Sequence, residues 1–166
     1  MAVNAQGFES FLSEPFSVVV KKDIILLDAS STKSPLQTEY TGFTSKGYIR
    51  LEKNENQKVI FTAILARTGI YRIDVRYSNG NGPINTDNKC AIRTLSINGK
   101  PAGSIVLPQR GAGNWSDWGY SSSLLREIKK GINEFEISFT AFNNNMNDIE
   151  NVALLDHLRL TLITKK

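Results

Sequence analysis

Few residues in this chain are equipped for chemistry, and their scarcity excludes much. There is a single histidine, His157, and a single cysteine, Cys90. One imidazole cannot build a His-based metal cluster, and no Ser-centred nucleophile elbow or phosphate-cradling glycine loop occurs. Carboxylates are plentiful, but nothing in their spacing pairs two of them as acid and base across a bond. Two features remain. Both tryptophans, Trp115 and Trp118, fall in "GAGNWSDWGY" (111–120), a stretch dominated by Gly, Ser, Asn and Asp. An indole left in a polar loop needs a reason, because its ring prefers to leave water. Either it offers a flat stacking surface or it plugs the edge of a core. The other feature is Asp156 in "NVALLDHLRLTLI" (151–163), where strand alternation puts Val152, Leu154, Asp156, Leu158, Leu160 and Leu162 on one face. A carboxylate in an apolar stripe is costly unless paired. Asp156 therefore needs a metal ion, an Arg or Lys, or backbone amides as its partner. His157, pointing the other way, is expected at the surface or an edge.

The elements that must carry these residues alternate with period two. "IYRIDVRY" (70–77) sets Tyr71, Ile73, Val75 and Tyr77 against Arg72, Asp74 and Arg76, and "INEFEISF" (132–139) turns Phe135, Ile137 and Phe139 inward. Both read as half-buried strands. "DIILLD" (23–28) and "VIFTAIL" (59–65) are continuously apolar and suit strands covered on both sides. Turn signals fall between these runs at short, regular intervals, and the Asn-Gly of "SINGKPAGSI" (96–105) marks a hairpin. The pattern predicts an all-β fold, a sandwich or barrel. Residues 23–166 form that unit, and residues 1–22 read as an arm or linker.

With 166 residues the chain fits one domain with a substantial core. Its net charge of +4 is spread along the chain, which argues against a nucleic-acid surface. Cys90 has no partner for an internal disulfide and reads as a buried thiol. No stretch is long and apolar enough for a membrane helix, and "MAVNAQGFESFLSEPF" shows no signal peptide.

Six pieces occur in a telling order: "GFTSKGYIRL", "TGIYRIDVRYSNGNG", "LSINGKPAGSIVLP", "NWSDWG", "LLREIKKGINEFEISF" and "LLDHLRL". Over about residues 23–163 they resemble carbohydrate-binding modules of families 35 and 6. The resemblance implies an antiparallel jelly-roll β-sandwich of two sheets that binds a polysaccharide or oligosaccharide and performs no chemistry. It also implies a catalytic domain in the same parent chain and a secreted or cell-envelope location. By the resemblance, Tyr48 and Trp115 are the stacking aromatics. A pyranose presents an apolar face and a rim of hydroxyls, which suits an indole flanked by polar side chains. Trp115 is the expected stacker, with Trp118 plugging the core edge.

The sequence also departs from the family pattern. Family members often hold a structural calcium with acidic residues on the first strand and the closing Asp. Here that leaves Asp28 and Asp156 as candidate ligands of a structural calcium, whose shell of oxygens backbone carbonyls would have to complete. The sugar-binding Asn that often precedes the closing Asp is replaced by Ala153, Leu154 and Leu155. Asn114 beside Trp115 and Asn144 of the amide-rich loop "FNNNMNDIEN" (142–151) are candidate hydroxyl partners; that loop either replaces the lost Asn or is a solvated turn. The alternative is a structural sandwich that packs on a catalytic domain and has lost its sugar site.

Overall fold

Period-two alternation becomes two sheets that share one core. The computed structural model describes residues 23–53, 58–84, 87–145 and 151–165. The expected arm over 1–22 lies outside the described residues. The strands are β1 (Ile24–Asp28), β2 (Ile49–Leu51), β3 (Lys58–Leu65), β4 (Gly69–Ser78), β5 (Asn81–Gly82), β6 (Ala91–Ile97), β7 (Lys100–Leu107), β8 (Gly111–Ala112), β9 (Gly119–Tyr120), β10 (Leu124–Ile128), β11 (Gly131–Ser138) and β12 (Ala153–Lys165). Among the described residues the only helical pieces are two 3₁₀ turns, Ala29–Ser31 and Ala141–Asn143. No helix there is long and apolar enough to cross a membrane.

A six-stranded sheet runs β1-β12-β4-β10, with β2 paired to β12 and β9 to β4. A four-stranded sheet runs β3-β11-β6-β7, and β5 and β8 form a separate ribbon. The pairings are antiparallel throughout. This is the sandwich that the alternation predicts. Tyr71, Ile73 and Val75 of β4, Phe135 and Ile137 of β11, and Leu158 and Leu160 of β12 meet in the core. Phe139, expected with them, lies beyond the end of β11 and is only half-buried, with the Lys53 and Arg93 cations against its ring. The β6–β7 hairpin turns at Asn98-Gly99 with positive φ at both residues, as the Asn-Gly signal requires.

Three sequence expectations fail, because periodicity reveals neither what covers a strand's outer face nor where its register shifts, and says nothing of residues outside the strands. β1 and β3 are edge strands, and their apolar runs are covered on one side only. Ile24, Leu26, Ile60 and Ile64 are exposed, and Ile64 stands directly opposite the exposed Ile132 of β11. In β12 the register against β4 shifts between Leu155 and His157. This bulge places Ala153 and Leu155 in the core before it, and Leu158, Leu160 and Leu162 after it. Asp156 sits at the shift, so it interrupts no continuous apolar face. Cys90 is half-buried just ahead of β6.

The end of β4 and the loop that holds both tryptophans are tied together by buried polar contacts. Buried Asn79, just past β4, donates to the carbonyls of Lys89 and Leu107, and its Oδ1 accepts from the Asn81 backbone and side chain. Arg110 donates to the Asn79 carbonyl and Gly113 to that of Gly80, tying in the loop that holds both tryptophans.

Candidate functional site

Aromatic rings from two loops meet in one cluster. The loop between β1 and β2 is pinched by paired backbone hydrogen bonds between Gln37 and Tyr48, at 2.8 and 3.0 Å. It carries Tyr40, Phe43 and Thr44. Tyr48 is fully buried at the centre of the cluster. Tyr40 stacks on it at 6.2 Å between centroids, Phe43 meets it edge-on at 5.7 Å, and Trp118 packs against it at 5.5 Å. Its hydroxyl accepts from the Tyr40 backbone N–H at 3.3 Å. Burial pushes the Tyr48 hydroxyl pKa up.

Trp115 closes the row. It is half-buried, lies 6.0 Å from Tyr40 at an interplanar angle of 25°, and has the Arg50 guanidinium 5.8 Å from its ring. Its indole lies on Gly80. A Cβ at that glycine would stand 2.8 Å from three ring atoms, Cδ1, Cδ2 and Cε2, a separation that real Cβ atoms essentially never show. One face of the indole is therefore backed by bare backbone. Arg50 pairs with Glu52, which puts both charge signs beside the rings.

The two loops are clasped together. Trp118 Nε1–H donates to the Thr41 carbonyl at 2.7 Å, and the Thr41 N–H donates to Ser116 Oγ at 3.1 Å. Beneath them Asp156 is fully buried, yet its carboxyl is held down at about 2. Burial alone would raise it; hydrogen bonds from His157, Thr44 and Arg76 outweigh that and favour the anion. Thr44 donates its N–H and its hydroxyl to the carboxylate at 3.0–3.2 Å, and Arg76 forms an ion pair with it. His157 is buried rather than superficial, between the Thr44 hydroxyl at 3.1 Å and the Tyr120 hydroxyl at 3.2 Å. The residues present do not fit the calcium that the resemblance implies. A guanidinium and two Thr44 donors engage the Asp156 oxygens, and no group of three or more His, Cys, Asp or Glu side chains among the described residues could hold a metal. Asp28 pairs with His157 only as a backbone neighbour in the β1–β12 register.

The predicted site residues thus separate. Trp115 stands at the surface of the cluster. Tyr48 cannot stack on a ligand, because other rings enclose it. Trp118 is a half-exposed clasp, not a core plug. Asn114 is exposed, but its Oδ1 accepts from the Ser116 N–H at 3.2 Å and closes the tryptophan loop. Asn144 is exposed at the end of the Ala141–Asn143 turn, beside Phe142, which is 93% exposed. That turn is anchored through Asn151, whose backbone and side chain accept from buried Arg93 and whose Nδ2 donates to the Asn143 carbonyl. Burial lowers the Arg93 pKa to about 10. Sequence reasoning missed Tyr40, Gly80 and Arg76. Tyr40 carried a usable signal: it and Phe43 lie in the polar, glycine-bearing stretch "QTEYTGFTSKG", much as the tryptophans lie in theirs.

No family model matches the chain. It is 26% identical over 125 residues to a cycloisomaltooligosaccharide glucanotransferase of Niallia circulans, a match that covers 75% of this chain and 11% of that enzyme. The chain thus spans about a tenth of that relative's length. Its fold is that of family 35 carbohydrate-binding modules. It superposes on the module from Cellvibrio japonicus with a TM-score of 0.62 at 20% identity, covering 86% of this chain and 94% of that one. It also matches a cycloalternan-forming enzyme from Listeria monocytogenes solved with a pentasaccharide substrate, with a TM-score of 0.59 at 25% identity, covering 81% of this chain and 11% of that one.

Proposed function

We propose that this domain is a non-catalytic carbohydrate-binding module and an accessory domain of a larger, secreted or cell-envelope enzyme that acts on α-glucans. The observation that carries the reading is Trp115, backed on one face by Gly80 and flanked by Tyr40 at 25° and by Arg50. A sugar ring laid on that surface meets apolar faces below and charged or polar donors at the rim, the pairing that pyranose chemistry asks for. Tyr40 and Arg50 are assigned to the site beside Trp115, and Asn144 contributes from the neighbouring turn. The kinship with enzymes named for isomaltosyl and cycloisomaltooligosaccharide chemistry supports α-1,6-linked glucose as the ligand class. A glycan array on the isolated domain tests this. Retention of isomaltooligosaccharides supports the reading, and an array without any signal refutes it.

A structural role is the second reading. The exposed Ile64–Ile132 pair on the four-stranded sheet favours it, because a neighbouring domain could cover that face. A silent array together with intact folding is the outcome this reading requires.

A further inference from the structure

We propose that Arg76 is the positioning residue of the aromatic platform and that, paired with Asp156, it holds the platform loop without a metal ion. The inference rests on the reading that Trp115 and Tyr40 form the sugar surface. One side chain here joins four segments. From β4, Arg76 pairs through Nη1 with Asp156 of β12, and its Nη2 donates to the Gly42 carbonyl at 3.0 Å. Its guanidinium also lies 5.4 Å from the Trp118 ring centroid. Arg76 thus touches the last strand, the 37–48 loop and the tryptophan loop at once, with 19% of its side chain exposed.

The loop is shaped to accept this grip. Gly42 has φ +88°, and a Cβ there would stand 3.0 Å from Trp118 Cδ1, so the close approach of loop and indole depends on a glycine. Thr41, next to it, takes the Trp118 indole N–H on its carbonyl, and Tyr40 beyond it stacks toward Trp115. Thr44, on the far side of Gly42, gives both its donors to Asp156. The carboxylate therefore holds the loop at Thr44, and Arg76 holds it at Gly42. A cation at Asp156 would have to displace a guanidinium already in contact, against its like charge. Arginine is required in this role, because a lysine ammonium cannot reach an acid, a carbonyl and a ring face with one planar group.

The test uses Arg76→Lys and Arg76→Met, with Thr44→Val as an independent cut of the same lock. The two indole N–H signals in a nitrogen–proton NMR spectrum report the clasp directly, without any ligand. Wild-type protein should melt identically in EDTA and in calcium chloride. In the Arg76 variants the Trp118 indole proton should exchange faster by about tenfold, as a locally opened hydrogen bond does. Affinity for isomaltoheptaose should fall by about tenfold, in proportion to the loss of a pre-arranged surface. If Arg76→Met does not fold, Arg76→Lys and Thr44→Val decide by the same readouts. The proposal is overturned if calcium raises the wild-type melting temperature. It is equally overturned if indole exchange and affinity are unchanged in the variants that fold. Should wild-type protein bind no glucan, the sugar reading fails by itself, and indole exchange and the EDTA melts still decide the role of Arg76.

Discussion

Replacing Gly80 with alanine adds a single methyl group under the indole of Trp115. The backbone at Gly80 lies outside the left-handed region, so alanine is conformationally acceptable and the effect comes from contact alone. That methyl would stand 2.8 Å from three ring atoms, against the 3.4–4 Å of ordinary van der Waals contact. The ring is rigid and is met face-on, so it has to lift by about half an ångström or more or tilt off its seat, since filled sites yield only by displacement. Overpacking of this kind costs about 1–3 kcal/mol of stability. A stacked aromatic contributes about 1–3 kcal/mol to binding by analogy with other stacking platforms. Losing most of that corresponds to a roughly tenfold or greater drop in affinity. Isothermal titration with an isomaltooligosaccharide, beside a thermal melt and the NMR position of the Trp115 indole signal, reads all three effects. An alanine variant with unchanged affinity, melting temperature and indole signal would refute the claim that Gly80 seats the ring.

Further outcomes follow from the same geometry. Tyr48→Ala removes the buried centre of the cluster and should destabilise by about 3–5 kcal/mol, as large aromatic truncations do; a denaturant titration checks this. Asp156→Ala leaves Arg76 and the Thr44 donors without their acceptor and should cost about 3–5 kcal/mol, read by the same titration. Asp156, lowered from 3.8 to about 2, is depressed in the folded state, so its contribution is fully present above pH 4 and is lost as the pH falls toward 2. The loss should amount to about 2 kcal/mol and be absent from Asp156→Asn, as melts across that acid range will show.

The sequence and the structure agree where periodicity governs. Tyr71, Ile73, Val75, Phe135, Ile137, Leu158 and Leu160 announce their inward faces by alternation, and all seven lie in the core. Asn98-Gly99 announces its turn through residues that tolerate positive φ. That Asp156 would be buried and paired was also legible, because an apolar strand makes an unpaired carboxylate untenable. Its place at a bulge was not, since a register shift depends on the partner strand. The aromatic cluster was half legible. Trp115 could be singled out from its polar surroundings. Whether Tyr48 was exposed, or Trp118 reached the core, depended on a loop that returns from far away in the chain, and no local pattern reports that. Gly80 shows the limit most plainly: in "YSNGNG" it reads as turn chemistry, and only the indole lying on it reveals its task.

The central claim is that Trp115 offers its ring to a sugar while Tyr48 and Trp118 hold the platform beneath it. Isothermal titration of an isomaltooligosaccharide into wild-type protein and Trp115→Ala, each with a parallel melt, tests that division most directly. Wild type should give a measurable isotherm and Trp115→Ala none, with the variant still folded and its melting temperature lowered by less than that of Tyr48→Ala. Equal binding by the two proteins, or unfolding of Trp115→Ala, would contradict the claim.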